Sequence, residues 1–369
     1  MVGIINQVKI GQAEAIALLV TVMSTKLFLT YPLIIVSHGG SAAWQIVIIS
    51  GLVTLVFFWL ILKYIERFPD RSFPETAEYI SGPYFGGLLV MLLLLPWLFE
   101  LTMTFRRFGE MIVIIALPET SIGLIMLIFF CGAGLAAYLG LSTIARACHL
   151  VFPFTLGAAL LIVAFSYSNW DTDWLFPIFG NGPWITIKEG VIQSSAFYEL
   201  SFIYALPLVF YAHQIKKIGY TSIIVTTVIL TTMVLAYLLV FPAVVGEEPY
   251  LPLYNMARSV YLGRFIQRIE AIFLLFWVIS GYLWVSVGVY GLCHILKDWL
   301  KLPDHRPLIL PALIIIFALA FIPQSLPDAV LTVQEYFYEI GFIAIFGLPP
   351  LLLLLAVLLG KGGKNNVEK

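Results

Sequence analysis

The sequence predicts an all-α integral membrane protein of ten transmembrane helices, in two halves of five, with the first and sixth helices discontinuous. Three observations carry this reading. Of the 369 residues, 61% are hydrophobic and 11% charged, at a mean hydropathy of +1.00. A soluble domain has roughly 25% charged residues, so this chain cannot cover a water-exposed surface. Apolar runs of about 20 residues, the length that crosses a bilayer, recur ten times. Two of them, the first and the sixth, are interrupted by polar residues at matching places in the two halves, which is the sequence mark of a transporter-type site.

In chain order, the first run is 12–37 and the second 42–65. The first is too long for a cleavable signal and contains Glu14 and Lys26. The polar stretch ERFPDRSFPETAEYISG follows and holds a short amphipathic piece. The third run, 83–117, is long for one span, and Pro96 is expected to kink it. The fourth is 120–140 and the fifth 147–167. The loop 168–188 carries Trp170, Trp174 and Trp184, which suit a membrane–water interface. The remaining runs are 190–212, 220–245, 267–294, 307–323 and 337–360, with a surface helix expected over about 253–262. One polytopic domain, 1–360, is thus expected, its first repeat about 12–167 and its second about 190–360, ahead of a polar tail, 361–369. An odd number of helices per half forces the halves into opposite orientations.

Lysine and arginine set the orientation. With the N-terminus inside, thirteen fall on the inner side: Lys9, Lys63, Arg67, Arg71, Arg146, Lys216, Lys217, Lys297, Lys301, Arg306, Lys361, Lys364 and Lys369. Four fall outside: Lys188, Arg258, Arg264 and Arg268. Both termini are therefore expected to be cytoplasmic.

Lys26 is the most informative residue. Ser24-Thr25-Lys26 lies near the middle of the first run, with Pro32 beyond. Hydrocarbon tolerates such residues only where they face protein or water. The sixth run matches it with Gln193-Ser194-Ser195, then Tyr198-Glu199, and Pro207. Lys26 can hold a ligand carboxylate, stand in for a coupling cation, or tie two helices together through a buried carboxylate. Glu199 and Glu100 are its two candidate partners, and either glutamate can serve instead as a proton relay. Glu100, Thr104 and Arg107 share one helix face, and Arg106 and Glu110 are spaced to pair. In the eighth run, which opens with Arg268 and Glu270, Trp277, Ser280 and Gly281 lie deeper, the small residues permitting close helix approach. The candidate ligand-binding set is Ser24, Thr25, Lys26, Phe28, Glu100, Ser194, Ser195, Tyr198, Glu199, Trp277 and Ser280.

Several classes are set aside. Cys131, Cys148 and Cys293 have no metal or redox spacing. The histidines at 38, 149, 213, 294 and 305 do not cluster in sequence, so no metal site is expected. No nucleotide-binding loop, GxSxG or HExxH is present, so no enzyme and no cofactor is expected. There is no basic patch for nucleic acid.

Four stretches carry a family resemblance: TKLFLTYPLIIVSHGGSAAW, SFPETAEYISG, FYELSFIYALPLVF and RIEAIFLLFWVISGY. They resemble the B-subunit (GerAB-type) spore germination proteins, a branch of the amino acid–polyamine–organocation transporter superfamily, over essentially the whole chain. The resemblance implies a LeuT-like 5+5 inverted repeat and a permease-like pocket for a small-molecule germinant, often an amino acid. It implies work in the spore inner membrane with an A subunit and a lipoprotein C subunit, triggering ion release. This chain departs where the superfamily usually has glycines in the helix-one break: it has Thr25 and Leu27 with Lys26 between them. The pocket then takes a different ligand, fills itself, or uses the ammonium in place of backbone N–H groups. Beside a germinant sensor stand two other readings: a secondary transporter of amino acids or amines, proton-coupled through Glu100 or Glu199, and a scaffold whose pocket is closed by a Lys26–glutamate pair.

Overall fold

Backbone polar groups cannot be left unpaired in hydrocarbon, and helices pair them within each segment. The computed structural model, which describes residues 10–205, 210, 212–246, 251–260 and 269–362, is accordingly helical, with no strand among the described residues. The helices are α1 (Gln12–Ser24), α2 (Tyr31–Gly39), α3 (Ala43–Arg67), α4 (Phe73–Ile115), α5 (Ile122–Leu139), α6 (Leu141–Ser166), α7 (Pro183–Ile192), α8 (Ala212–Val240), the single turn α9 (Ala243–Gly246), α10 (Pro252–Ser259), α11 (Ile269–Trp299), α12 (Arg306–Leu319), α13 (Leu326–Phe342) and α14 (Leu348–Leu358). Six segments among the described residues are long and apolar enough to cross a membrane, and α12 and α14 are shorter apolar helices. Ten spans are consistent with this once the broken helices are counted with their halves.

Both expected breaks are present. A 3-10 turn, Thr25–Phe28, separates α1 from α2, and a 3-10 segment, Gln193–Ala205, continues α7. A helix forms where the surface helix was expected, α10, but Pro252, Leu253, Met256 and Ala257 are buried in it and only Arg258 is exposed. The long third run breaks elsewhere than expected. The backbone stays helical through Pro96, and the non-helical residue in α4 is Gly82, at φ 83° and ψ 171°. Only glycine enters that region readily, and Pro83 follows it. The amphipathic piece before it and the span after it are thus set apart. The last run also starts earlier than 337. Ser325 accepts from the Asp328 N–H, and Pro327 sits in the first turn, so α13 begins at Leu326 and passes through a π turn, Ile343–Gly347, into α14. α6 begins at Leu141, six residues before the expected start. Pro207, Lys9, Glu247, Glu248, Arg264, Arg268, Lys364, Lys369 and the side chain of Glu270 lie outside the described residues.

The core forms around the broken helices. α1 packs on α6, α8 and α11, while the 3-10 segment 193–205 packs on α1, α3 and α13. α11 also runs against α4 and α5. Gly281 permits the α11–α4 approach, because a Cβ there would run into the buried ring of Phe108. At another edge, Arg67 donates to the Lys361 carbonyl, and Lys361 Nζ donates to the carbonyls of Tyr79 and Ile80.

Overpacking a tight contact costs about 1–3 kcal/mol. Gly281→Ala is expected to lower the thermal unfolding midpoint of the detergent-purified protein by a corresponding amount. Gly157→Ala, where a Cβ meets nothing within 4 Å, is expected to leave it within about 0.5 kcal/mol of the parent.

Candidate functional site

The first break puts Lys26 where no regular helix would. Thr25 Oγ1 turns back to the Thr21 carbonyl at 2.7 Å, and the Leu29 N–H bonds the Lys26 carbonyl at 3.0 Å, closing a tight turn. The ammonium is carried across to the second break, where Lys26 Nζ donates to Glu199 Oε2 at 2.7 Å. The two side chains are 12% and 6% exposed. The other carboxylate oxygen, Glu199 Oε1, accepts from Trp284 Nε1 of α11 at 3.4 Å. Lys26 Nζ also lies 5.5 Å from the Phe197 ring centre and 5.8 Å from that of Tyr198, close enough for cation–π attraction. Of the two carboxylates open as partners, Glu199 takes the lysine.

Glu100 is held by its own helix. Its Oε1 accepts from Arg107 Nη2 at 2.6 Å and from Thr104 Oγ1 at 2.8 Å. Its Oε2 is buried without a hydrogen-bond partner, as is Arg107 Nε. Farther along, Arg106 pairs with Glu110 at 3.0 Å. The Lys26–Glu199 and Glu100–Arg107 pairs line one central chamber with Thr25, Leu29, Tyr31, Thr104, Ala196, Tyr198, Trp284 and Phe337. Its volume is about 20 Å³, room for one water and far below the roughly 300 Å³ of a small-molecule pocket.

The candidate residues divide. Thr25, Lys26, Glu100, Tyr198 and Glu199 line the central chamber. Ser24, Phe28 and Ser280 line a different cavity, shared with Thr21. Residues two apart do not share a helix face, and Ser24 and Lys26 accordingly face different cavities. Ser194 and Ser195 spend their hydroxyls on the carbonyls of Val191 and Ile192. Trp277 is fully buried and stacks on Phe108 at 5.5 Å. Trp284, Tyr31 and Phe337 were not singled out in the sequence. Trp284 had a signal, an indole N–H deep in an apolar run that needs an acceptor. Phe337 had none, since a lone aromatic at the start of an apolar run reads as packing.

Two of the histidines meet despite their sequence spacing. The rings of His294 and His305 are 6.5 Å apart, and both touch the ring of Tyr290. No group of three or more potential metal ligands forms among the described residues.

Breaking a buried pair from one side costs about 3–5 kcal/mol, because the other charge is stranded. Lys26→Met is expected to lower stability by that order in denaturation of the purified protein. Lys26→Met with Glu199→Gln is expected to recover part of the loss. Equal losses in the single and double variants would show that the pair contributes nothing.

Residues 9–329 match the family described as spore germination protein. Among its relatives, spore germination protein A2 of Bacillus subtilis (strain 168) is 23% identical, over 95% of this chain and 96% of its own. Spore germination protein XB of Bacillus anthracis is 24% identical, over 90% and 92%. In fold, the chain is similar to MhsT in complex with L-phenylalanine, at TM-score 0.67, 14% identity and coverage of 95% and 89%. It is also similar to Mhp1, a nucleobase-cation-symport-1 family transporter, at TM-score 0.64, 13% identity and coverage of 93% of each chain. The LeuT-type transporter fold follows from these two likenesses.

Proposed function

The chain belongs to the spore germination protein family, and from that premise we propose that it is the permease-like sensing subunit of an endospore germinant receptor. Its ligand is a small zwitterion such as an amino acid, bound where Lys26 and Glu199 now bind each other. The observation that carries this reading is that pair, bridging both helix breaks at 2.7 Å inside a chamber of about 20 Å³. A ligand carboxylate replaces Glu199 on the lysine, and a ligand ammonium replaces Lys26 on the glutamate. No charge is then left stranded in the low-dielectric interior, and the chamber must widen to admit the ligand. Binding is thereby tied to movement of the two breaks, which suits a sensor. That MhsT is solved with L-phenylalanine supports an amino acid on this fold. On this reading the protein works in the spore inner membrane, both termini cytoplasmic, beside A and C subunits that read the movement.

A proton-coupled transporter of amino acids or amines is the second reading. The unbonded, buried Glu100 Oε2 at the same chamber favours it, since such a carboxylate can take a proton.

The test is a thermal-shift screen of the purified protein against amino acids, amines, nucleosides and sugars, repeated with Lys26→Ala. An amino acid at a hundred times its Kd is expected to stabilise the parent by about 2.7 kcal/mol and the variant not at all. In proteoliposomes, a pH gradient is expected to drive no accumulation of that amino acid. Concentrative uptake would replace the sensor with the transporter. Stabilisation by uncharged compounds alone would remove the zwitterion.

A further inference from the structure

A groove of about 330 Å³ between α6 and α8 is far larger than the central chamber and has the volume of a small-molecule site. Leu156, Ala159 and Leu160 wall it from α6, and Ile224, Val228 and Ile229 from α8. Leu160, Ile224 and Val228 are 51%, 51% and 59% exposed. In an apolar span, that exposure faces the acyl chains of the bilayer.

The groove has an inner end of opposite character. Leu156, Ala159 and Ile229 also wall the cavity lined by Thr21, Ser24 and Ser280. The hydroxyls of all three are buried without a hydrogen-bond partner, and Thr21 and Ser280 are 4% and 1% exposed. Helical serines and threonines normally return their hydroxyl to a carbonyl one turn back. Ser50, Thr54, Thr76, Thr227 and Ser286 do so here. An unmet buried hydroxyl is costly, and here three converge on one cavity.

We propose that this groove is a membrane-side binding site for an uncharged amphiphile, a molecule with an aliphatic body and a single hydroxyl-like head. The body lies between α6 and α8, and the head exchanges hydrogen bonds with Thr21, Ser24 and Ser280. The lining carries no charge, so a charged head would be desolvated without a partner. A phospholipid acyl chain would enter methyl end first and leave the hydroxyls unmet. The head sits against the turn where α1 ends, so occupancy bears on the hinge that carries Lys26 from the side opposite the central chamber. The site does not depend on the zwitterion reading.

The test is photolabelling of the full chain in lipid nanodiscs with a diazirine derivative of octanol, against the matching diazirine alkane. The alcohol is expected to label α6 and α8 saturably, with octanol competing. Thr21→Val with Ser280→Ala is expected to weaken that labelling about tenfold and leave the alkane's unchanged. Ile229→Trp, which fills the passage between groove and inner cavity, is expected to abolish saturation. Thermal unfolding of each variant checks the fold, and Ser280→Ala alone serves if the double variant does not fold. Equal labelling by alcohol and alkane would overturn the site. So would label spread evenly over the lipid-facing helices, or a phospholipid retained in native mass spectra that excess octanol does not displace.

Discussion

A lysine ammonium cannot stay unpaired in the middle of a hydrocarbon layer, and Lys26 meets that constraint by reaching Glu199. The rest of the centre follows from it. The two residues stand on the two 3-10 interruptions, so one bond fastens together the parts of the chain least able to hold themselves by helical hydrogen bonding. Trp284 fixes the carboxylate from α11, and the rings of Phe197 and Tyr198 flank the ammonium. A second pair, Glu100–Arg107, forms within α4 and needs no other helix. The contrast separates a local ion pair from one that joins two halves of a fold.

The helical class and the two breaks were legible because charge in an apolar run is rare and leaves few explanations. Lys26 and Glu199 announced themselves in that way. Glu100, Thr104 and Arg107 were legible as a shared face through their spacing, and the structure joins them by hydrogen bonds. Ser24 and Lys26 are two residues apart, a spacing that puts them on different helix faces, and they line different cavities. What spacing could not say is what a face packs against. Trp277 and Trp284 lie two turns apart on the same helix. Only tertiary packing, Phe108 against one and Glu199 against the other, distinguishes them.

Breaks were also harder to place than to expect. Pro96 drew the kink, since its missing N–H is visible in the sequence, but the backbone stays helical there and turns at Gly82. A proline inside a membrane helix is tolerated when neighbours make good the freed carbonyl. A glycine ahead of a proline is the stronger stop. The start of α13 was missed for a related reason: Ser325 and Pro327 are a capping signal in a stretch too polar to read as a span.

The small volume of the central chamber sets a threshold. If the ligand-free protein is closed around its own ion pair, a ligand binds only the fraction of molecules in which the pair has parted, and its apparent affinity falls by that fraction. Each 1.4 kcal/mol by which the closed form is favoured weakens the apparent affinity about tenfold. On the proposed reading, a lysine and a glutamate act as a tethered competitor at very high local concentration. Tightening or loosening that bond would move the concentration at which the protein responds, with no change in any group that touches the ligand's side chain.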